Sequence, residues 1–132
     1  MPLTDEEFLD HCKEILDVFN YRYFDGILKF EVGMYPRDYK RRLASCCGRL
    51  DGTSLVKMTP ITKLMSHYEL EETLVHELLH VAQFHFKLRA EHGPKFKELA
   101  RKFGIPINSA MSCASGEVRS MVQLKTGAPP KR

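Results

Sequence analysis

Long apolar runs are missing from this 132-residue sequence, and no stretch of it could cross a bilayer as a helix. A signal segment is missing too: the chain opens on the acidic Met1-Pro2-Leu3-Thr4-Asp5-Glu6-Glu7. An intracellular protein, neither secreted nor membrane-bound, is the expectation. Cysteine is scarce. Cys12, Cys46, Cys47 and Cys113 include no Cys-x-x-Cys pair, which excludes a zinc ribbon. One helix cysteine, two adjacent ones and one in the tail make a poor disulfide framework, so free thiols in a reducing compartment are expected. Internal repeats and low-complexity tracts are also absent, which removes solenoids and long linkers. A single monomeric domain is the expectation, because a chain of this length can build a core without staples.

Negative charge runs short after the first helix. Residues 1–20 carry six acids against one lysine, while the whole chain has a net charge of +3, so the remainder carries +8. Arg37, Lys40, Arg41 and Arg42 form one basic cluster. Lys87, Arg89, Lys95, Lys97, Arg101 and Lys102 form another, and Arg119, Lys125, Lys131 and Arg132 make the tail basic. Clusters of this kind can track phosphates; they also serve simply to keep a small protein dissolved.

What the sequence does have is His76-Glu77-Leu78-Leu79-His80. On a helix each residue turns about 100°, so the two histidines lie one turn apart on one face and can grip a single metal ion. Glu77 sits beside them as a general base. This is the H-E-x-x-H arrangement of zinc peptidases. Helix context is present: Ser66-His67-Tyr68-Glu69 reads as a capping box, and Leu70, Leu74, Leu78, Val81 and Leu88 recur at helical spacing. The helix is expected over about 67–88.

Catalytic zinc usually takes a third protein ligand. His85 and His67 each lie nine residues from His76, on the opposite side of a continuous helix, and are disfavoured. His92 lies in Glu91-His92-Gly93-Pro94, where Gly and Pro break the helix and let the chain turn back. That turn can deliver His92 to the open side of the metal. Two readings of Glu72 stand: a support behind the metal site, or a solvated carboxylate.

The remaining elements frame that helix. Thr4 to Glu7 is a second capping box, and an apolar stripe from Phe8 to Tyr23 marks a helix that Asp25-Gly26 ends. Residues 27–35 alternate as a strand, 36–42 form a basic loop, and 43–50 form a second strand with Ala44, Cys46 and Gly48 toward the core. Asp51-Gly52 signals a hairpin into a third strand, Thr53 to Met58, whose edge could take an extended substrate. Gly93-Pro94 starts a last helix with Phe96, Leu99, Ala100 and Phe103 on one face. Val118, Met121 and Val122 suggest a short helix, and residues 127–130 a loose end.

These stretches, taken in order, resemble the SprT-like zinc metalloproteases. His76 to His80 followed by His92-Gly93-Pro94-Lys95-Phe96 carries the resemblance. Phe19 to Leu28, Leu43 to Gly48 and Glu71 to Val75 extend it, so that it covers about residues 8–103. The fold this implies is α+β and zincin-like: an N-terminal helix, a small mostly antiparallel sheet, the H-E-x-x-H helix and a packed C-terminal helix. Residues 1–103 would be the protease domain, and 104–132 a short basic extension with no zinc ribbon. The site expected is Zn2+ on His76, His80 and His92, with Glu77 as base. No residue stands out as an oxyanion stabiliser. The resemblance further implies action on proteins bound or crosslinked to DNA, as in DNA–protein crosslink repair. The expected DNA contacts are Arg41, Arg42, Lys87, Arg89, Lys95, Lys97, Arg101 and Lys102. Relatives often carry a zinc ribbon or other binding segments after the protease domain, whereas residues 104–132 are all that follows the last clear match in this sequence. Two alternatives stand beside this reading. One is an intracellular processing peptidase for a dedicated protein partner, without DNA. The other is a non-catalytic, zinc-containing DNA-binding module.

Overall fold

The computed structural model describes residues 3–40, 42–90 and 92–105. Arg41, Cys113, the basic tail and the helix expected near Val118 lie outside the described residues.

Helix α1 (Asp5–Phe24) begins where Thr4 accepts from the Glu7 backbone while the Glu7 carboxylate accepts from the Thr4 backbone. It ends at Asp25, which adopts left-handed φ 53°, followed by Gly26 at φ 74°. Its inner face buries Phe8, Cys12, Ile15, Leu16 and Phe24; each large apolar side chain so buried contributes about 1.5–3 kcal/mol. Asn20 is polar on that face but satisfied: its Nδ2 donates to the Leu28 carbonyl at 3.0 Å, and the Leu28 N–H donates to its Oδ1 at 3.2 Å. That pair of bonds fixes the chain as it leaves the helix for the sheet.

The sheet has three strands: β1 (Phe30–Met34), β2 (Ala44–Gly48) and β3 (Ser54–Met58), in the order β1-β3-β2. β3 pairs antiparallel with β2 and parallel with β1, with Phe30 opposite Ser54. The α+β class holds, but the sheet is mixed rather than mostly antiparallel. The loop after β1 carries the chain past a gap before β2 begins, and the Asp51-Gly52 turn sends β3 back into that gap. β3 is therefore central and paired on both sides, so Thr53 to Met58 cannot offer a free edge. Among the described residues, the free edges belong to β1 and β2.

A short 3-10 helix (Pro60–Leu64) leads to α2 (His67–His85), which packs on β2 and α1. Ser66 and Glu69 form its capping box as expected. Leu70, Leu74, Leu78 and Val81 are buried, but the helix stops three residues short of Leu88, which is half exposed. Lys87 turns left-handed at φ 57°, and the Leu88 N–H closes back on the Gln83 carbonyl at 2.7 Å. β2 approaches α2 closely at Gly48: a Cβ there would stand 2.9 Å from the Phe84 ring. Ala44 is buried and Cys46 packs against the core, so the three residues expected to face inward do face α2.

Gly93 and Pro94 open α3 (Pro94–Lys102), which buries Phe96, Leu99 and Ala100. Phe103 follows, packing on Phe24 at 4.6 Å and Phe86 at 5.4 Å between ring centroids. Among the described residues no helix is long and apolar enough to cross a membrane.

Candidate metal centre

Helix periodicity places His76 and His80 on the face of α2 that turns toward β2, and both are buried. The break after α2 returns the chain so that His92, the residue two before α3, meets them. Three Nε2 atoms converge: His76 to His92 at 3.1 Å, His80 to His92 at 2.8 Å, and His76 to His80 at 3.3 Å. A triangle of that size fits around one ion bound at about 2.0–2.1 Å from each nitrogen. The tautomer of His80 follows from its other nitrogen. Nδ1 lies 2.6 Å from Gln83 Oε1, an acceptor, so Nδ1 carries the proton and Nε2 presents its lone pair. Three imidazoles turned inward in this way can bind a metal ion.

Burial favours the neutral ring. It pushes the His80 pKa down; the bond to Gln83 acts the other way, and His92 lowers it further. Phe96 lies beneath all three rings, with centroid distances of 5.1 Å to His76, 5.2 Å to His80 and 5.6 Å to His92. His92 is the exposed member, so the site opens on its side.

Glu77 is buried on the same turn. Desolvation pushes its pKa up to about 8, and the charge of Arg42 opposes that shift. A cation beside it would draw the value back down, toward the range in which a carboxylate serves as a base near neutral pH. The cleft that Glu77 shares with the three histidines has a volume of about 370 Å³. Arg42, Ser45, Cys46 and Phe84 form its other walls. The Cys46 thiol is pushed up to about 12, by burial first and by Glu77 second, so it stays protonated and is a poor competitor for the metal.

A family model described as the SprT-like family matches residues 12–113, most of the chain. The chain belongs to the SprT-like family. No curated protein matches it at a significant level.

The other residues expected in this SprT-like site sort as follows. His85 is exposed and packs on Phe86. His67 lies at the far end of α2, its Nε2 3.3 Å from a Glu71 carboxylate oxygen. Neither reaches the cluster. Glu72 accepts from the Tyr68 hydroxyl, one helix turn before it. Arg42, grouped by sequence with the DNA-facing cations, stands in the cleft wall. Lys87, Arg89, Lys95, Arg101 and Lys102 are exposed and Lys97 is half-buried. Along α3, helical spacing sets Lys95 and Lys102 on one flank of the apolar face and Lys97 and Arg101 on the other.

Sequence reasoning missed two parts of this SprT-like site. Gln83 could have been found: it lies one turn beyond His80, a polar residue in an otherwise apolar stretch. Phe96 reads as core, which it is, and only the fold shows that its ring is also the floor under the histidines. Gln83→Leu removes the acceptor that fixes the His80 tautomer while keeping the volume. Metal affinity should fall about 10–100-fold. A competition titration against a chromophoric chelator measures it, and unchanged affinity would remove Gln83 from the site.

Proposed function

We propose that this chain is a zinc-dependent endopeptidase that cleaves proteins bound or crosslinked to DNA. The observation that carries the reading is the meeting of three inward-turned imidazoles with a buried carboxylate on one helix turn. His76, His80 and His92 hold the ion through their Nε2 atoms. When bound, zinc supplies a Lewis acid that polarises a carbonyl and acidifies water. Zinc suits a site of three neutral imidazoles that leaves one side open, which is the pattern of a catalytic rather than a structural centre. Glu77 takes a proton from the attacking water and hands it to the departing amide nitrogen. The buried surroundings of Glu77 keep bulk water from competing for that proton. β2 runs along the cleft through Ser45 and Cys46, and its outer edge is the natural rail for an extended peptide, by strand addition.

The DNA part of the proposal rests on charge. The chain after residue 20 carries the excess of cations, and those of α3 face solvent on both flanks of its buried stripe. Binding of this kind is electrostatic and sequence-independent, so it weakens steeply with salt. The test incubates the zinc-loaded protein with a basic DNA-binding protein, with and without single-stranded DNA. Cleavage that DNA stimulates is the expected result. Lys95→Glu, Lys97→Glu and Arg101→Glu together should weaken DNA binding in fluorescence anisotropy. For every phosphate that is no longer neutralised, the log-affinity against log-salt slope should flatten by roughly 0.7–0.9. Cleavage without any salt-sensitive DNA binding would favour the dedicated-partner peptidase, and absence of cleavage the non-catalytic module.

A further inference from the structure

Arg42 is a cation without an obvious reason to be where it is. It stands in the wall of the cleft that holds His76, Glu77 and His92. No carboxylate among the described residues forms an ion pair with it. Tyrosines hold it instead. Its Nη1 donates to the Tyr35 hydroxyl at 3.2 Å, and its guanidinium lies 6.0 Å from the centre of the Tyr35 ring and 5.9 Å from that of Tyr39. The two rings pack edge to face at 4.9 Å. The Tyr35 hydroxyl is tied in turn to Ser45 Oγ at 2.5 Å, which anchors the assembly to β2. Two more cations crowd it: Arg37 lies 5.1 Å from the Tyr39 ring and Lys57 5.2 Å from the Tyr35 ring. Like charges repel, so gathering three around two rings costs free energy. A guanidinium has five N–H donors, and among the described residues one of them finds an acceptor. The guanidinium is held in the cleft wall, close enough to act on Glu77, as a donor fixed in advance would be for charge that develops during a reaction.

We propose that Arg42 is the oxyanion stabiliser of this site, with Tyr35 and Tyr39 as positioning residues. The proposal rests on the peptidase reading. As water attacks the scissile carbon, a C–O bond forms and the carbonyl π pair moves onto its oxygen. Glu77 receives the proton of the water. Arg42 donates hydrogen bonds to the negative oxygen and keeps its own protons throughout. When the pair returns, the C–N bond breaks and the nitrogen takes the proton from Glu77.

The test uses the first bond cleaved in the assay with the basic DNA-binding protein. Two ligands are made on that sequence: a phosphinic peptide, which carries the tetrahedral anion, and the plain amide peptide. The phosphinate is titrated by calorimetry into the zinc-loaded wild type and Arg42→Gln. The amide is titrated into Glu77→Gln with and without Arg42→Gln, where it is not cut. Phosphinate affinity should fall about 100-fold, while amide affinity changes less than about threefold. Tyr35→Phe, which keeps the ring, should lie between wild type and Arg42→Gln. Methylguanidinium should restore part of the phosphinate affinity to Arg42→Ala. Zinc content measured on every variant guards against misfolding, and Arg42→Lys, which keeps the charge, should retain more affinity than Arg42→Gln. Equal losses for both ligands would make Arg42 a ground-state contact, and no loss for either would make it a solvated cation; each overturns the proposal. Tight phosphinate binding with no Arg42 effect leaves the peptidase reading standing. A wild type that cleaves no bond removes both.

Discussion

Glu77→Gln should leave a protein that folds, binds its metal as the wild type does, and does not measurably cleave. The substitution is nearly isosteric, so the packing of α2 against β2 survives. The carboxylate is not one of the three converging ligands, so metal content stays at the wild-type level. What disappears is the group that takes and returns the proton, and general acid–base transfer of that kind is worth about 10²–10⁴ in rate. The site also supplies no ready substitute: among the described residues lining the cleft, no other carboxylate appears, and the Cys46 thiol is held protonated. Cleavage assays run beside metal analysis and circular dichroism check all three parts. A variant that cleaves at the wild-type rate would show that Glu77 is not the base.

His92→Ala should strip the site of its metal. His76 and His80 are preorganised by one rigid helix, but they approach the ion from one side only. The third nitrogen comes from a different part of the chain, and its loss opens that side to water. Loss of a supporting group behind a ligand already costs about 10–100-fold in affinity, and loss of the ligand itself should exceed that. His85→Ala is the matched control. It removes an imidazole from the same stretch of chain, yet that ring is exposed and packs on Phe86, outside the cluster. Zinc occupancy should therefore collapse in the first variant and stay unchanged in the second. Equal occupancy in the two would exclude His92 as a ligand.

The metal helix was legible in the sequence because its information is local. Ser66 and Glu69 cap it, the leucines space it, and periodicity alone puts His76 and His80 on one face. His92 was legible for a related reason: Gly93-Pro94 forces a turn, and a turn can return a ligand to the helix it left. The order of the strands was not legible. Alternation and the Asp51-Gly52 turn reveal that β2 and β3 form a hairpin. They carry no information about β3 entering between β2 and β1, because register and order depend on partners distant in the chain. The strand edges open to an extended peptide therefore belong, among the described residues, to β1 and β2 and not to β3. The place of Arg42 in the cleft wall was not legible for the same reason. Beside Lys40 and Arg41 it reads as one charge in a basic loop. Only the fold shows Tyr35, Tyr39 and Ser45 holding it at the cleft. Gln83 and Phe96 support the histidines through contacts that no spacing rule encodes.

Metal-dependent cleavage by the three-histidine site can be measured in one experiment. The purified protein is stripped with a chelator, dialysed, and titrated with zinc while cleavage of the basic DNA-binding protein is followed in the presence of single-stranded DNA. Activity should vanish on stripping and return in proportion to added metal, reaching its plateau at one zinc per chain. Cleavage that survives stripping, or that zinc bound at one equivalent fails to restore, would contradict the account.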